Sequence, residues 1–296
     1  MSSQVLDQPQ VQNTPAKNLL DATVILLTFN GEQYLSQVLQ MLDRQKVKPK
    51  ETVVIDSGST DHTLDILQSF EVRLHKIPNS EFSHSKTRNL AVRISNSNFI
   101  VFLTQDATPA DSCWLEQLLL PFQKYENVAG VYGRQAPRPS ADPLEANDLR
   151  IGFPPERKFK TLPKDGFNQN NVWQLIHFSN ASSAYRRELL MSNPFREDLE
   201  MAEDQEWAMR MMKKGYSFVY EPESIVLHSH DFTLTQKRER DFRMGRSFAQ
   251  FLYPLVGKRH FPLGECLYHI YSDAGYMNGH HQFSAKWLLR SPIYRA

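Results

Sequence analysis

Apolar residues along the chain follow two rhythms, and the alternation between them predicts the architecture. Thr23 to Phe29 is a continuous β-rich run closed by Asn30-Gly31, after which Tyr34, Leu35, Val38, Leu39 and Leu42 recur at helical spacing. That unit reads as a strand followed by a helix. It repeats with Glu51 to Ile55 as strand, Asp56-Ser57-Gly58-Ser59-Thr60-Asp61 as turn and cap, and a helix through Leu64, Ile66 and Leu67. Val72 to Lys76, Lys86 to Ser95 and Asn98 to Leu103 continue as strand, helix and strand, and Trp114 to Tyr125 and Val128 to Tyr132 as helix and strand. Strands alternating with helices at this spacing imply an α/β chain built on a largely parallel sheet covered on both faces.

The rhythm then stops. Residues 134–171 are rich in Pro, Asn, Gly and charge, a stretch too long for an ordinary connector and therefore a candidate lid or substrate loop. Patterning resumes at Trp173 to Phe178, in a helix from Asp204 to Lys214 stopped by Gly215, and in strands at Phe218 to Tyr220 and Ser224 to His228. Further on, Phe242, Gly245, Phe248, Ala249 and Leu252 mark an amphipathic helix. Seven Lys or Arg stand against two acids between Lys237 and Arg259, so the stripe reads either as core packing or as contact with an anionic membrane surface.

Composition narrows the function classes. The 296 residues carry 34 Lys and Arg against 33 Asp and Glu, which leaves no overall excess to attract nucleic acid. Two cysteines, Cys113 and Cys266, with no Cys-x-x-Cys argue against a disulfide scaffold or a cysteine zinc site and fit a reducing cytoplasm. Residues 1–20 are polar, lack the pattern of a secretory signal, and read as a disordered tail. No apolar run approaches the ~20 residues needed to span a bilayer.

Five places could carry chemistry. Asp106 stands at the tip of the apolar run Phe99 to Leu103, where open α/β sheets bind ligands, and is a natural ligand for Mg²⁺ or Mn²⁺ beside phosphate oxygens. The bland alternative is a turn. Asp56 ends the second strand and can accept from a base imide or ribose, or serve its own turn. Arg88 and Lys86 lie early in a helix, where a diphosphate could meet them, or on a solvated face. Glu203-Asp204 opens a helix: dipole capping is the plain reading, and a carboxylate facing a cleft could instead act as a general base. His228 and His230 share one face of an extended segment, and one of them could complete a cation site begun at Asp106.

In this order the pieces resemble a family 2 glycosyltransferase of the GT-A fold over roughly residues 22–250. Leu27-Thr28-Phe29-Asn30 is similar to the family's first nucleotide-contacting segment, Val54 to Asp61 to its second, Thr87-Arg88-Asn89 to its diphosphate segment and Glu203-Asp204 to its acidic pair. The Asp-x-Asp signature survives only as Thr104-Gln105-Asp106. That segment, with Gly133-Arg134-Gln135 and His228-Ser229-His230-Asp231-Phe232, resembles a bacterial rhamnosyltransferase-like subgroup. The fold this implies is Rossmann-like: a mixed, mostly parallel sheet flanked by helices, with a helical C-terminal extension. Residues 21–232 would be the GT-A domain, its nucleotide-binding half ending at 133 and its acceptor half carrying the long loop, and 233–296 the basic, aromatic extension.

The resemblance implies inverting transfer of a hexose or deoxyhexose, rhamnosyl above others, from a nucleoside diphosphate sugar to a glycan or lipid-linked hydroxyl in polysaccharide biosynthesis. Thr28, Asn30, Asp56, Arg88, Thr104, Gln105 and Asp106 would bind the donor, Asp106 and His228 a divalent cation, and Asp204 would be the base. Arg134, Gln135, Asn180, Glu203 and His230 are expected near the acceptor or its loop. A cytoplasmic protein, peripheral at the inner face of the membrane through 233–260, is the implied setting. Two alternatives stand: a nucleotidyltransferase making the sugar nucleotide, although Asn30-Gly31-Glu32 lacks the Gly-rich basic loop that class uses, and an inactive nucleotide-sugar-binding protein.

Overall fold

The computed structural model describes residues 21–230, 232–257, 263–280 and 285–295. The expected tail at 1–20, Asp231 and the basic pair at 258 and 259 lie outside them. The first half follows the predicted alternation: β1 (Ala22–Thr28), α1 (Leu35–Asp43), β2 (Glu51–Asp56), α2 (Thr63–Leu67), β3 (Arg73–Lys76), α3 (His84–Ile94), β4 (Phe99–Thr104), a two-residue β5 (Thr108–Pro109), α4 (Trp114–Lys124) and β6 (Val128–Ala136). Next come α5 (Pro143–Gly152), β7 (Lys158–Lys160), α6 (Val172–Ile176), β8 (Ser182–Arg186), α7 (Arg187–Ser192), α8 (Glu203–Lys213) and β9 (Ser217–Leu227). Helices α9 (Leu234–Phe251), α10 (Tyr253–Val256), α11 (Leu263–Gly279) and α12 (Ala285–Arg295) complete the described chain.

The strands form one sheet in the order β3-β2-β1-β4-β8-β6-β9-β5, with β7 also on β9. Strands β1, β2, β3, β4, β6 and β9 share one direction, and β5, β7 and β8 run against it. Successive strand residues point to opposite faces. Val24 and Leu26 therefore pack with Val38, Leu39, Trp114 and Leu118 of α1 and α4, while Ile25 joins Val92, Trp207 and Met211 of α3 and α8.

Three expectations are corrected. Residues 134–171 are not one loop: β6 runs on through Arg134 and Gln135, and α5 and β7 follow. Helix α5 escapes the hydrophobic pattern because its contacts are partly polar; buried Asn147 donates to Asp273 Oδ1 of α11 at 2.8 Å. The two strands read at 218–220 and 224–228 are a single β9 whose register slips opposite Gly133/Arg134. The stripe on α9 is also shifted, since Phe242 is 68% exposed and the buried side is Ser247 and Phe251, with Met244 and Phe248 packed beside them. That side lies on Val172, Ile176, Leu199 and Met209. Core packing thus accounts for the inner face of α9 and sets this helix across the ends of the strands.

Candidate active site

The parallel strands end together. Register pairs Thr28 with Asp56 and Leu27 with Thr104, while Gln135 and Ala136 stand beside Val226 and Leu227, so the carboxyl ends of β1, β2, β4, β6 and β9 meet at one edge. Antiparallel β8 brings its opposite end there, with Ser182 against Leu103. A cavity of about 640 Å³ opens beyond this edge, with a second of about 270 Å³ beside it. The larger is of a size that holds a small-molecule ligand.

Thr28, Arg88, Thr104, Gln105, Asp106, Asn180, Glu203, Asp204, His228 and His230 line the larger cavity, and Asn30 lines the smaller with Gln105, Asp106 and His230. Asp106 faces both histidines, with His228 Nε2 and His230 Nδ1 each 3.5 Å from a carboxylate oxygen. Their donor atoms lie within 4.8 Å of one another, a set of one hard oxygen and two imidazoles that suits a divalent cation. Burial would raise the Asp106 carboxyl, but the hydrogen bond and charge of His228, together with His230, hold it well below the usual carboxylate range. Burial, and after it the neighbouring His228, lowers His230 to about 4, so its ring is neutral and keeps a lone pair near pH 7. The site is braced from behind. Gln135 accepts from His228 Nδ1 at 2.7 Å, Glu145 of α5 accepts from the His230 backbone N–H at 2.7 Å, and Arg138 donates to the Asp106 carbonyl while lying 3.9 Å over the Tyr34 ring.

Across the cavity stands the acidic pair. Ala202 enters α8 in the left-handed region (φ 60°), a strained turn for a residue with a side chain, and this turn aims Glu203 and Asp204 at the strand ends. Their environments differ sharply. Glu203 is buried in an ion pair with Arg88 and accepts from Asn180 Nδ2 at 3.0 Å, and Arg88 holds its carboxyl below the ordinary value against the burial that would raise it. Asp204 accepts from the Asn180 backbone N–H at 2.9 Å, yet burial and then the adjacent Glu203 charge push it up to about 7. Two neighbouring carboxyls driven apart in this way leave Asp204 able to exchange a proton near neutral pH, which is the property a general base requires.

Other sequence-singled residues have different duties in the structure. Arg88 does not reach out from the start of α3 to an anion; its guanidinium is spent on Glu203 and lies 5.6 Å from the Phe102 ring centre. Asp56 is 1% exposed and serves its turn, accepting from Thr28 Oγ1 at 3.0 Å, from the Gly58 and Ser59 backbone N–H groups, and from the Ser59 hydroxyl. Gln105 clamps the β1 exit: its amide accepts from Phe29 N–H at 2.9 Å and donates to Phe29 C=O at 3.1 Å. Gly31 permits this, because a Cβ there would stand 2.5 Å from Gln105 Oε1. Arg134 lines neither cavity, and Gln135 sits behind His228 rather than at an open wall.

Sequence reading missed the roof. Gln236, Glu239, Arg240, Arg243 and Met244 of α9 close the larger cavity, and Phe82 and His84 form part of its rim. The signal was available as helical spacing: Gln236, Arg240 and Met244 follow one another at i, i+4 and i+8, directly after the histidine pair. Arg243 is held by Glu200 at 2.6 Å, whereas among the described residues Arg240 has a single 3.9 Å carboxylate approach, to Asp241, and lies 5.9 Å from the centre of Phe232, which stacks on His230 at 4.6 Å.

Comparison with known proteins agrees with this arrangement. The Glycosyl transferase family 2 model matches residues 23–192. The chain is 34% identical over 226 residues to the O-antigen chain rhamnosyltransferase WbaN of Salmonella anatum, covering 75% of this chain and 70% of that one. Among solved structures, Staphylococcus aureus TarS 1-349 superposes with a TM-score of 0.55 at 20% identity, covering 90% of this chain and 73% of that one. The mannosyltransferase PcManGT of Pyrobaculum calidifontis, in complex with GDP-Man and Mn²⁺, superposes with a TM-score of 0.57 at 16% identity, covering 93% and 84%. With more than half of its length matched by one family model and a relative this close, the chain belongs to glycosyl transferase family 2, in its rhamnosyltransferase-like branch, and is a glycosyltransferase of the GT-A fold.

Proposed function

We propose that the protein transfers a deoxyhexosyl group, rhamnosyl before other sugars, from a nucleoside diphosphate to a hydroxyl of a glycan or lipid-linked acceptor, with inversion. One observation carries the reading: a single cavity has a carboxyl raised to about 7 on one wall and the Asp106, His228, His230 donor set on another. The name of WbaN supports the sugar, and the Mn²⁺ bound with nucleotide sugar in PcManGT supports the cation. Asp204 takes the acceptor proton as the hydroxyl oxygen bonds to the anomeric carbon and the bond from that carbon to the diphosphate oxygen breaks. A divalent cation held by Asp106, His228 and His230 would neutralise charge gathering on the departing diphosphate. The ring of Tyr34 and the polar groups of Asn30 and Gln33 in the smaller cavity offer a nucleoside site. Membership of a glycosyltransferase family removes the nucleotidyltransferase alternative.

The test is a panel of nucleoside diphosphate sugars, assayed for released nucleoside diphosphate with Mn²⁺, with Mg²⁺ and after chelation. Turnover is expected with a deoxyhexose donor, dependent on metal, and with inverted anomeric configuration in the product. Turnover only with other sugars removes the rhamnosyl part, retained configuration removes Asp204 as direct base, and donor binding without release favours the inactive binding protein. Arg238, Phe242 and Arg246 share the outer face of α9, all exposed, and are the surface on which membrane contact would rest. Retention on anionic vesicles, lost when Phe242 becomes Ser, checks that part.

Arg240 replaces Arg88 as the cation assigned to the diphosphate, because Arg88 and Arg243 are already closely paired with carboxylates whereas, among the described residues, Arg240 approaches one only at 3.9 Å. Losing a charged hydrogen bond costs about 1.5–3 kcal/mol, so Arg240→Gln should weaken nucleoside diphosphate binding roughly 10- to 100-fold. Binding of the matching nucleoside should be unchanged. Equal loss of both in calorimetry would mean that Arg240 only shapes the cavity.

A further inference from the structure

We infer that Gln135 is a positioning residue that fixes the tautomer and direction of His228 toward the cation; the inference rests on the cation reading of the Asp106 site. A histidine can give a lone pair from Nε2 only if its proton resides on Nδ1, and a buried Nδ1–H needs an acceptor. His228 is such a buried ring. Gln135 Oε1 lies 2.7 Å from its Nδ1, and its Nε2 faces Asp106. The Gln135 amide is itself fixed, since its Nε2 donates to Ser179 Oγ at 2.8 Å, leaving the oxygen end for His228.

The backbone builds this contact in. Gln135 and His228 come from the adjacent parallel ends of β6 and β9, where Gln135 pairs with Val226 and the His228 N–H donates to the Ala136 carbonyl at 2.9 Å. Side chains two residues apart on an extended segment share a face, so His228, one residue past β9, falls on the side that Val226 shares with Gln135. Ser179 is the neighbour of Asn180, whose backbone N–H holds Asp204, so the segment ahead of β8 links the support behind the cation donors to Asp204 at the start of α8. An acceptor-binding role, expected of Gln135 from its sequence, would need an open side chain; this one is 6% exposed and has both ends engaged inside the protein.

Two variants of matched size test the assignment by Mn²⁺ binding, read from the electron paramagnetic resonance of free Mn²⁺ without donor or acceptor. Gln135→Met keeps the volume and removes the acceptor, and should weaken Mn²⁺ binding roughly 10- to 100-fold, the usual cost of losing such a partner. Gln135→Glu keeps an oxygen opposite Nδ1 and should bind Mn²⁺ at least as tightly as the wild type. Melting curves without metal report any loss of folding separately. Wild-type affinity in Gln135→Met, or equal loss in Met and Glu variants, overturns the positioning role while leaving the cation site standing. No Mn²⁺ binding by the wild type itself overturns the cation reading and this inference with it.

Discussion

Asp204→Asn is expected to lower the transfer rate by roughly 10²–10⁴-fold, the range that one well-placed general base supplies, while the donor remains bound. The amide keeps the size of the side chain and its one oxygen can still accept from either the Asn180 or the Gln205 N–H, which now bond to separate Asp204 oxygens, but it cannot take a proton. The pH dependence follows from the shift. Asp204 acts as base only when ionised, and burial and Glu203 place its pKa at about 7, so wild-type kcat/KM should fall as pH drops below about 7. The residual rate of Asp204→Asn should lose that limb. Stability moves the other way: a carboxyl raised in the folded protein destabilises the fold as pH climbs from near 4 through about 7, and Asn removes this penalty. Relative to wild type, the variant should therefore gain in melting temperature as pH rises from 4 to 8. An active Asp204→Asn enzyme with an intact acid limb would remove Asp204 from the chemistry.

Arg88→Met has the largest expected effect on stability, about 3–5 kcal/mol, because removing one member of a buried ion pair leaves the other charge unpaired. The side chains of Arg88 and Glu203 are only 7% and 6% exposed, so water cannot take over the lost contact. Glu203 is lowered in the fold, so the stability it contributes is present above its unfolded value of 4.5 and lost as pH falls. Urea unfolding at pH 7 should show the loss, and Glu203→Gln added to Arg88→Met should recover much of it, since the amide oxygen still accepts from Asn180. A double variant no more stable than Arg88→Met would mean that packing against Phe102, and not charge, is what Arg88 supplies. Activity should suffer in both, as the Arg88–Glu203 pair adds to burial in shifting the pKa of Asp204.

Much of the sheet was legible because its strands are apolar runs and its helices amphipathic. Asp106 and His228 could be singled out because each follows the end of an apolar strand, where a polar residue has little to do in a core, and Asp204 because it stands beside a second acid at the start of a helix. Helix α5 and strand β8 were not legible. Asn147 and Ser182 are buried and hydrogen-bonded, and no hydropathy pattern reports a polar residue whose partner lies far along the chain.

Roles were harder to read than positions. Arg88 resembled an anion ligand until the fold set Glu203, 115 residues away in sequence, against it. Arg240 read as one charge in a basic run until Phe251 and Leu252 docked α9 over the strand ends.

The order of elements, the family and the residue types at the strand tips were determined by the sequence, because periodicity and terminal polarity are local properties of a chain. Which charges are already neutralised, which carboxyl of an adjacent pair keeps its proton, and which glutamine holds a histidine were decided only by tertiary structure. The reason is physical: pairing energies and pKa shifts depend on distance and exclusion of water, and in a folded chain both are set by neighbours remote in sequence.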